Sequence, residues 1–307
     1  MPVINRPLPV SGFVCAFMGL IAMMAPLMVH ASEITNPKSA YEQRLEQGID
    51  AFYRSDWRQA DLVFDQLQKL DPGNPRAYFF SSMVPFWQYF FGGGEPGTAK
   101  EFLRSSDQAI KIAERRLKAA PRDTSVVFIL SGLHGYRSLV AAAEKEYSIA
   151  IQSGVTGFSF TRQLLSLDDS HEDALIGKGV FNYMMGSVPR EGRWMTNMMG
   201  MSGDIELGFQ ELERAARSNS ASRTEAKMIL AYLYDREKRH DDALRVSKEL
   251  VDAYPENIIF QFYLAKSLDN TKRLGEATDA YRRVVEMDSD LKVLKDTSNV
   301  RLRELSR

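Results

Sequence analysis

The sequence predicts an all-α fold, an α-solenoid of about six stacked helix-turn-helix repeats. The first observation behind this prediction is a 34-residue unit that occurs twice in succession within residues 224–289. The Leu-Ala pair at 230–231 recurs at 264–265, and Ala243 recurs as Ala277. A fixed period of this length, with a small residue in each half, is typical of paired helices that approach each other closely.

The second observation is that a regular spacing of small residues continues through the rest of the chain. Each repeat has one small residue in its first helix and one in its second. From each second-helix residue to the next first-helix residue the count is 22, 22, 22, 23 and 22. The first-helix residues are Gly48, Ser82, Ser131, Gly179, Ala231 and Ala265, and the second-helix residues are Ala60, Ala109, Gly157, Gly208, Ala243 and Ala277.

The third observation is where this spacing widens. Within a repeat, the two small residues are 12 apart in the first, fifth and sixth repeats, but 27, 26 and 29 apart in the second, third and fourth. Three consecutive repeats therefore carry 15, 14 and 17 extra residues at the same internal place. Insertions at one place in a stacked array emerge along one edge, which is often the binding face.

Residues 1–31 are predicted to be a signal peptide. Arg6 precedes an apolar stretch at 10–29, and the Val-His-Ala sequence at 29–31 suits cleavage before Ser32. The alternative is an uncleaved inner-membrane anchor, because 20 apolar residues are enough to cross a bilayer. We therefore expect an exported, periplasmic protein, which would lie close to the membrane if the segment is not cleaved.

Composition excludes several classes of function. The chain has 39 Lys and Arg against 40 Asp and Glu, without a long run of one sign, and so offers no basic surface for nucleic acid. The only cysteine, Cys15, lies in the N-terminal apolar stretch, so the repeats have no disulfide or thiolate metal site. Of the four histidines, His30 lies in the N-terminal segment and the other three, His134, His171 and His240, lie in three different repeats; no Gly-x-Ser-x-Gly motif occurs. We expect a protein that is not an enzyme and has no cofactor or metal.

The repeats are expected at residues 41–290. A polar linker at 32–40 precedes them, and residues 291–307 are predicted to form a helix that caps the stack. The 34-residue period resembles the tetratricopeptide repeat, and this resemblance implies a protein that binds other molecules. In the first repeat, Asp56 is placed to cap the second helix.

An aromatic helix is predicted for residues 77–91 in the second repeat. Eight of these fifteen residues are aromatic, and apolar side chains occur all round the helix, so neighbouring helices or a ligand must cover it. Pro85 is expected to kink it. Core packing is one interpretation, and an aromatic groove for a peptide or an acyl chain is the other. Trp87, Phe90 and Phe91 are therefore candidate partner-binding residues.

A glycine-rich turn follows at residues 92–97. It lacks the Gly-Lys-Ser/Thr ending of a phosphate-binding loop, so we do not expect a nucleotide site. Instead, Thr98 and Glu101 are predicted to form the capping box of the next helix.

The insertion of the third repeat is predicted to be extra helix. The first helix is expected to continue to about Gln152, and Gly154 and Gly157 are expected to break it before a second helix at 158–167. The acidic run at 168–173 is interpreted as capping residues rather than metal ligands.

The fourth repeat contains a block that resembles a known family. Gly-Lys-Gly-Val-Phe-Asn at 177–182 leads through apolar residues to Ser-Val-Pro at 187–189, and Gly-Met-Ser-Gly-Asp follows at 200–204. The block is similar to the family typified by tetratricopeptide repeat protein 39 and the yeast inclusion-body clearance protein. The resemblance implies a helical-repeat scaffold without known catalysis, and the signal-like N-terminus indicates a bacterial, exported relative.

Methionine is concentrated around the insertion of the fourth repeat. Six methionines fall within 18 residues, at Met184, Met185, Met195, Met198, Met199 and Met201. Thioethers suit Cu(I), so copper binding is one alternative, while packing or an adaptable apolar contact is the other. Trp194, Met195, Met198 and Met199 are candidate partner-binding residues.

The concave side of the array is a second candidate surface. Some tetratricopeptide arrays clamp a C-terminal carboxylate with Lys and Asn, but the corresponding residues here, Leu45 and Ile49, are apolar. Candidate groove residues in the regular repeats are Met228, Tyr232, Arg236, Phe262, Lys266 and Asn270, and simple exposure of these side chains is the alternative. They mix apolar and polar character, as protein-binding surfaces do.

The sequence therefore favours an exported scaffold that binds a protein or peptide of the cell envelope. A carrier of an apolar small molecule or lipid is the alternative. We expect the insertions of repeats two and four, about residues 86–97 and 186–203, to lie near one another and form the binding surface, because extra apolar chain must pack back or meet a partner.

Overall fold

The computed structural model describes residues 39–167, 172–188, 193–194, 202–218 and 223–306. In these ranges the chain forms thirteen α-helices and no strand. The helices are α1 (Ala40–Tyr53), α2 (Trp57–Leu70), α3 (Pro75–Gly92), α4 (Pro96–Ala119), α5 (Thr124–Ala143), α6 (Tyr147–Leu167), α7 (Glu172–Gly186), α8 (Ile205–Arg217), α9 (Arg223–Arg236), α10 (His240–Ala253), α11 (Ile258–Asn270), α12 (Leu274–Glu286) and α13 (Lys292–Leu305).

The first twelve helices pack in consecutive pairs. The six pairs, from α1–α2 to α11–α12, correspond to the six repeats, and the second helix of each pair also contacts the first helix of the next. Helix α13 packs on α12. The predicted α-solenoid of about six repeats with a terminal helix is therefore confirmed.

Small residues bring the two helices of a repeat to close range. A Cβ atom at Gly48 would lie 2.6 Å from a ring carbon of Phe64, and one at Gly208 would lie 2.6 Å from the backbone nitrogen of Tyr183. Real Cβ atoms essentially never approach that closely. These positions therefore admit no larger residue unless the helices move apart.

One turn geometry joins the two helices in four of the repeats. A residue other than glycine adopts the left-handed conformation there, with φ between 59° and 65°: Ser55, Lys145, Lys238 and Lys272. In the first repeat Asp56 follows, and its carboxylate accepts a hydrogen bond from the backbone N–H of Gln59. The predicted cap of α2 is therefore confirmed.

The turn of the third repeat lies earlier than predicted. Helix α5 ends before Lys145, so it does not continue to Gln152, and Gly154 and Gly157 lie inside α6 without breaking it. A glycine within a helix costs about 1 kcal/mol relative to alanine. At Gly157 that cost is offset by close packing, because a Cβ there would lie 3.3 Å from backbone atoms of α5.

Longer helices absorb the insertions of the second and third repeats. Helix α3 continues ten residues past Ser82, whereas α1 continues five past Gly48. Helix α4 begins 13 residues before Ala109, whereas α2 begins three before Ala60. In the third repeat, α5 continues seven residues further past its small residue than α1 does, and α6 begins seven residues further before its small residue than α2 does. These two insertions therefore do not emerge as loops.

The predicted capping box of α4 is wrong. The helix begins at Pro96 with Glu95 as its N-cap, so Thr98 and Glu101 lie inside it. Proline at the first helical position has the φ angle that a helix start requires and lacks an N–H that would need a partner. It therefore starts the helix before Thr98 is reached.

Several predicted features lie outside the described residues. They are the signal peptide at 1–31 with most of the linker, residues 168–171 of the acidic run, and most of the insertion of the fourth repeat, residues 189–192 and 195–201.

The array closes so that its first and last repeats are in contact. The rings of Tyr53, at the end of α1, and Tyr254, after α10, have centroids 5.5 Å apart. Asn257 donates a hydrogen bond from Nδ2 to the carbonyl of Tyr53 at 2.7 Å. Helix α3 contacts α13, and a Cβ at Gly93 would lie 3.0 Å from Val293. The first helices of the repeats consequently meet in a central layer.

Helix α5 belongs to this central layer. By length and composition it could cross a membrane, but most of it is buried by the other helices. A core helix has the same composition, and its burial indicates that role here.

Candidate functional site

An apolar cleft of about 80 Å³ lies in the central layer, between α3, α5, α7, α9 and α11. Almost all of its wall is apolar. The residues that line it include Phe86, Trp87, Phe90 and Phe91 on α3, Tyr136 on α5, Met228, Ile229 and Tyr232 on α9, and Phe260 and Tyr263 on α11.

Aromatic contacts join α3 to the C-terminal repeats around this cleft. Ring centroids are 6.2 Å apart for Phe90 and Tyr232 and 6.3 Å apart for Trp87 and Phe260, both edge to face. Such pairs contribute about 0.5–1.5 kcal/mol each beyond the area they bury. The end of α3 therefore fills much of the concave surface that α9 and α11 would otherwise present.

The structure thus brings together candidate residues that the sequence assigned to two separate surfaces. Trp87 and Phe91 are buried, while Phe90 and Tyr232 are half-buried, so the latter two expose most of the aromatic surface open to a partner. Phe262 is also buried but does not line the cleft; it lies against Tyr263 and Tyr281.

The polar groove residues bind a partner within the chain. Lys266 donates from Nζ to Oδ2 of Asp235 at 2.8 Å, and Asn270 donates from Nδ2 to Oδ1 at 3.0 Å. Arg236 is exposed, and its positive charge opposes the rise in the pKa of Tyr183 that burial causes. Lys266 and Asn270 therefore form a fixed polar cluster with Asp235.

A buried carboxyl group joins the first and fifth repeats. Tyr53 donates a hydrogen bond from its hydroxyl to Oε2 of Glu225 at 2.5 Å, and Oε1 of Glu225 has no hydrogen-bond partner among the described residues. Burial raises the pKa of Glu225 to about 8, and the hydrogen bond from Tyr53 opposes the rise. Burial also raises the pKa of Tyr53 and of nearby Tyr136. Both Glu225 and Tyr53 are therefore neutral at pH 7.

Sequence reasoning missed this buried contact and part of the cleft. Nothing in the sequence pairs Tyr53 with Glu225, which lie 172 residues apart. Tyr136 and Leu139 line the cleft from the lengthened end of α5. The signal available in the sequence was that apolar residues continue at helical spacing past Ser131, which indicates that α5 extends beyond a regular first helix.

The methionine cluster is described only in part. Met184 and Met185 are buried in the core, and Trp194 is 64% exposed. Met195, Met198, Met199 and Met201 lie outside the described residues. Among the residues that the structure describes, no group of three His, Cys, Asp or Glu side chains could hold a metal ion.

Comparison with known proteins agrees with the repeat architecture. The family model described as tetratricopeptide repeat matches residues 202–258 and 240–291, which cover the last part of the fourth repeat and the two regular repeats. This match supports the class of protein that the fold defines, a tetratricopeptide-repeat protein. No curated protein matches the chain.

Solved structures, two of them described as tetratricopeptide-repeat proteins, are similar to the chain at low identity. A thermophilic protein of Thermus thermophilus has a TM-score of 0.44 and 15% identity, covering 75% of this chain and 99% of that one. A protein of Parabacteroides merdae has a TM-score of 0.35 and 16% identity, covering 86% and 88%. Yeast Tom70 has a TM-score of 0.35 and 11% identity, covering 96% and 69%.

Proposed function

We propose that the protein is a non-enzymatic, exported scaffold that binds a protein or peptide of the cell envelope. The tetratricopeptide repeats support a role in protein–protein interaction. The apolar stretch and small-residue site at the N-terminus support export. The block at residues 177–204 supports a bacterial relative of the tetratricopeptide repeat protein 39 and inclusion-body clearance family.

The observation that carries the proposal is the central cleft. Its half-buried aromatic and aliphatic side chains, Phe90, Met228 and Tyr232, lie near the polar cluster of Asp235 and Lys266. Protein interfaces combine an apolar centre with a polar rim, and tyrosine is frequent among the residues that contribute most to binding. The cleft has that arrangement on the surface that tetratricopeptide arrays present to peptides.

The size of the cleft indicates what it accepts. Sites that bury a drug-sized ligand have volumes of roughly 300–1,000 Å³. A cleft of about 80 Å³ is much smaller and suits one apolar side chain of a partner rather than an acyl chain. We therefore propose that a peptide places a single aliphatic or aromatic anchor there.

A carrier of an apolar small molecule is the second candidate. The almost wholly apolar wall of the cleft favours it, and a lipid would require α3 to move. Mass spectrometry of the purified protein tests this candidate, since a carrier should co-purify with an apolar compound.

Copper binding by the methionines is a further alternative. It predicts that the wild type binds Cu(I) more tightly than a variant with Met195, Met198, Met199 and Met201 changed to Leu.

Pull-down from envelope extract tests the leading proposal. The wild type should retain a protein that Tyr232→Ala, which removes a half-buried aromatic ring from the cleft, retains at least tenfold less well. Leu70→Ala is the matched control, because Leu70 is exposed on α2, away from the cleft, and its loss should change nothing. If Tyr232→Ala retains the partner as well as the wild type does, the partner does not bind at the cleft. If the protein is found only in the cytoplasmic fraction, the proposal that it is exported is wrong.

A further inference from the structure

Helix α4 carries a row of positive charge on its outer surface. It is the second helix of its repeat, so it lies outside the central layer that holds the cleft. The row consists of five exposed side chains, Lys100, Arg104, Lys111, Arg115 and Lys118. At 3.6 residues per turn they fall within about 60° of one another, and at 1.5 Å per residue they span about 27 Å. The cations therefore form a straight, narrow row along the helix.

Little negative charge within the chain competes for these cations. None of the five forms a salt bridge with another described residue. Asp107 lies on the same face, but Nη1 of Arg137 on α5 lies 3.0 Å from its Oδ1 and offsets its charge. Glu101 and Glu114 are exposed on either side of the row. The row thus keeps a net positive charge.

The excess of positive charge is particular to this helix. Helix α4 has six Lys and Arg against three Asp and Glu, whereas the whole chain has a net charge of -1. Among the other second helices that the structure describes, α6 has an excess of one positive charge, and α2, α8, α10 and α12 have none. The row does not show as a run in the sequence, because residues on other faces separate its members. An anionic surface would therefore attract the protein at α4.

The composition of the row favours a lipid surface over a protein as its occupant. Protein interfaces have an apolar centre, and lysine is depleted there. Three of the five members are lysines, and α4 exposes no large apolar side chain. Anionic headgroups attract Lys and Arg through charge alone, and clusters of about four to eight such residues on a helix are typical of this binding.

We propose that the outer face of α4 docks on a membrane surface that contains anionic phospholipid. A straight row of about 27 Å can lie parallel to a plane, so all five cations can reach headgroups at once. The contact is electrostatic and lies at the surface, because no apolar side chain of α4 is exposed for insertion. This role goes beyond that of the cleft, which other helices build in the central layer.

Energy transfer from the protein to lipid headgroups tests this contact in the full chain. In a Cys15→Ser background, Gln108→Cys places a fluorescent donor beside the row, and Gln210→Cys places it on α8 as a matched exposed site. The acceptor is a headgroup label in phosphatidylcholine vesicles, with or without phosphatidylglycerol. The donor at position 108 should transfer at least threefold more energy to the anionic vesicles. High salt should remove this excess, because it screens exposed charges.

Charge reversal shows whether the row causes the excess. Lys111→Glu combined with Arg115→Glu should abolish it, and the fold should tolerate both changes because the side chains are exposed. Lys248→Glu combined with Arg283→Glu is the matched control: it changes the net charge by the same amount at exposed positions on α10 and α12 and should leave the excess intact.

Three results would overturn the proposal. They are equal transfer from the wild type to both kinds of vesicle, the same behaviour in the two charge-reversed variants, and the same excess at position 210. If the wild type binds soluble polyglutamate but does not prefer the anionic vesicles, the occupant is an acidic protein and the proposal is likewise wrong.

Discussion

Replacing Glu225 with Gln should remove a loss of stability that the wild type shows as the pH rises from about 4.5 to about 8. In the folded protein Glu225 keeps its proton up to about pH 8, whereas the unfolded chain releases it near the usual pKa of 4.5. The folded state therefore binds more protons between these values, and stability falls as pH rises through them. Glutamine has the shape of the protonated side chain and does not titrate, so the variant should lack this fall.

The magnitude follows from the two pKa values. Each unit of difference corresponds to about 1.4 kcal/mol, so the whole difference is worth about 5 kcal/mol between pH 4.5 and 8. Between pH 6 and pH 9 the wild type should lose about 2 to 3 kcal/mol of unfolding free energy from this group alone. That is a large share of a typical total of about 5–15 kcal/mol.

Urea denaturation followed by far-UV circular dichroism at pH 6 and pH 9 measures the effect. Tyr53→Phe is the control: it removes the hydrogen bond that opposes the rise in the pKa of Glu225 but keeps the carboxyl group, so its stability should still fall with pH. If Glu225→Gln loses as much stability as the wild type from pH 6 to pH 9, Glu225 does not hold a proton at the junction of the repeats.

Three further predictions follow. Gly208→Leu should lower the melting temperature and cost roughly 1–3 kcal/mol or more of unfolding free energy, because the Cβ of the new side chain alone would lie 2.6 Å from a backbone nitrogen of α7. Ala243→Leu should have the same effect in the fifth repeat. Burial lowers the pKa of His134 from 6.5 to about 4, so the wild type should lose up to about 3 kcal/mol of unfolding free energy as the pH falls from 6.5 to 4. Urea denaturation at these two pH values should show a smaller loss for His134→Phe. Replacing residues 189–201 with a Gly/Ser linker should leave far-UV helicity nearly intact; loss of the captured partner would place binding in the insertion, and its retention would place binding in the cleft.

The repeat architecture could be predicted because it depends on local spacing. Gly48 and Gly208 stand where two helices cross, and the absence of a side chain is visible in the sequence. Asp56 as a helix cap is equally local. The turn at Lys145 could not be predicted in this way, because a left-handed lysine has no sequence signal, whereas the nearby glycines at 154 and 157 suggested a break that packing removes.

The central cleft depends on how far the array curves, which local spacing does not specify. A small change in the angle between successive repeats decides whether Tyr53 meets Glu225 or faces solvent. The sequence therefore indicated that other residues must bury the helix of residues 77–91 and that Tyr232 lies on a concave face. It did not indicate that this helix and Tyr232 pack against each other.

The insertions explain why this array closes. A regular first helix ends five residues after its small residue, as α1 does after Gly48, but α3 ends ten residues after Ser82. Those extra residues include Phe90 and Phe91, whose rings contact Tyr232 and Tyr263 across the central layer. Extra chain that stacking does not require thus occupies the surface where such arrays bind peptides. Under the proposed function, a partner recognises an aromatic cleft built by both ends of the array, and changes to α3 should alter binding and closure together.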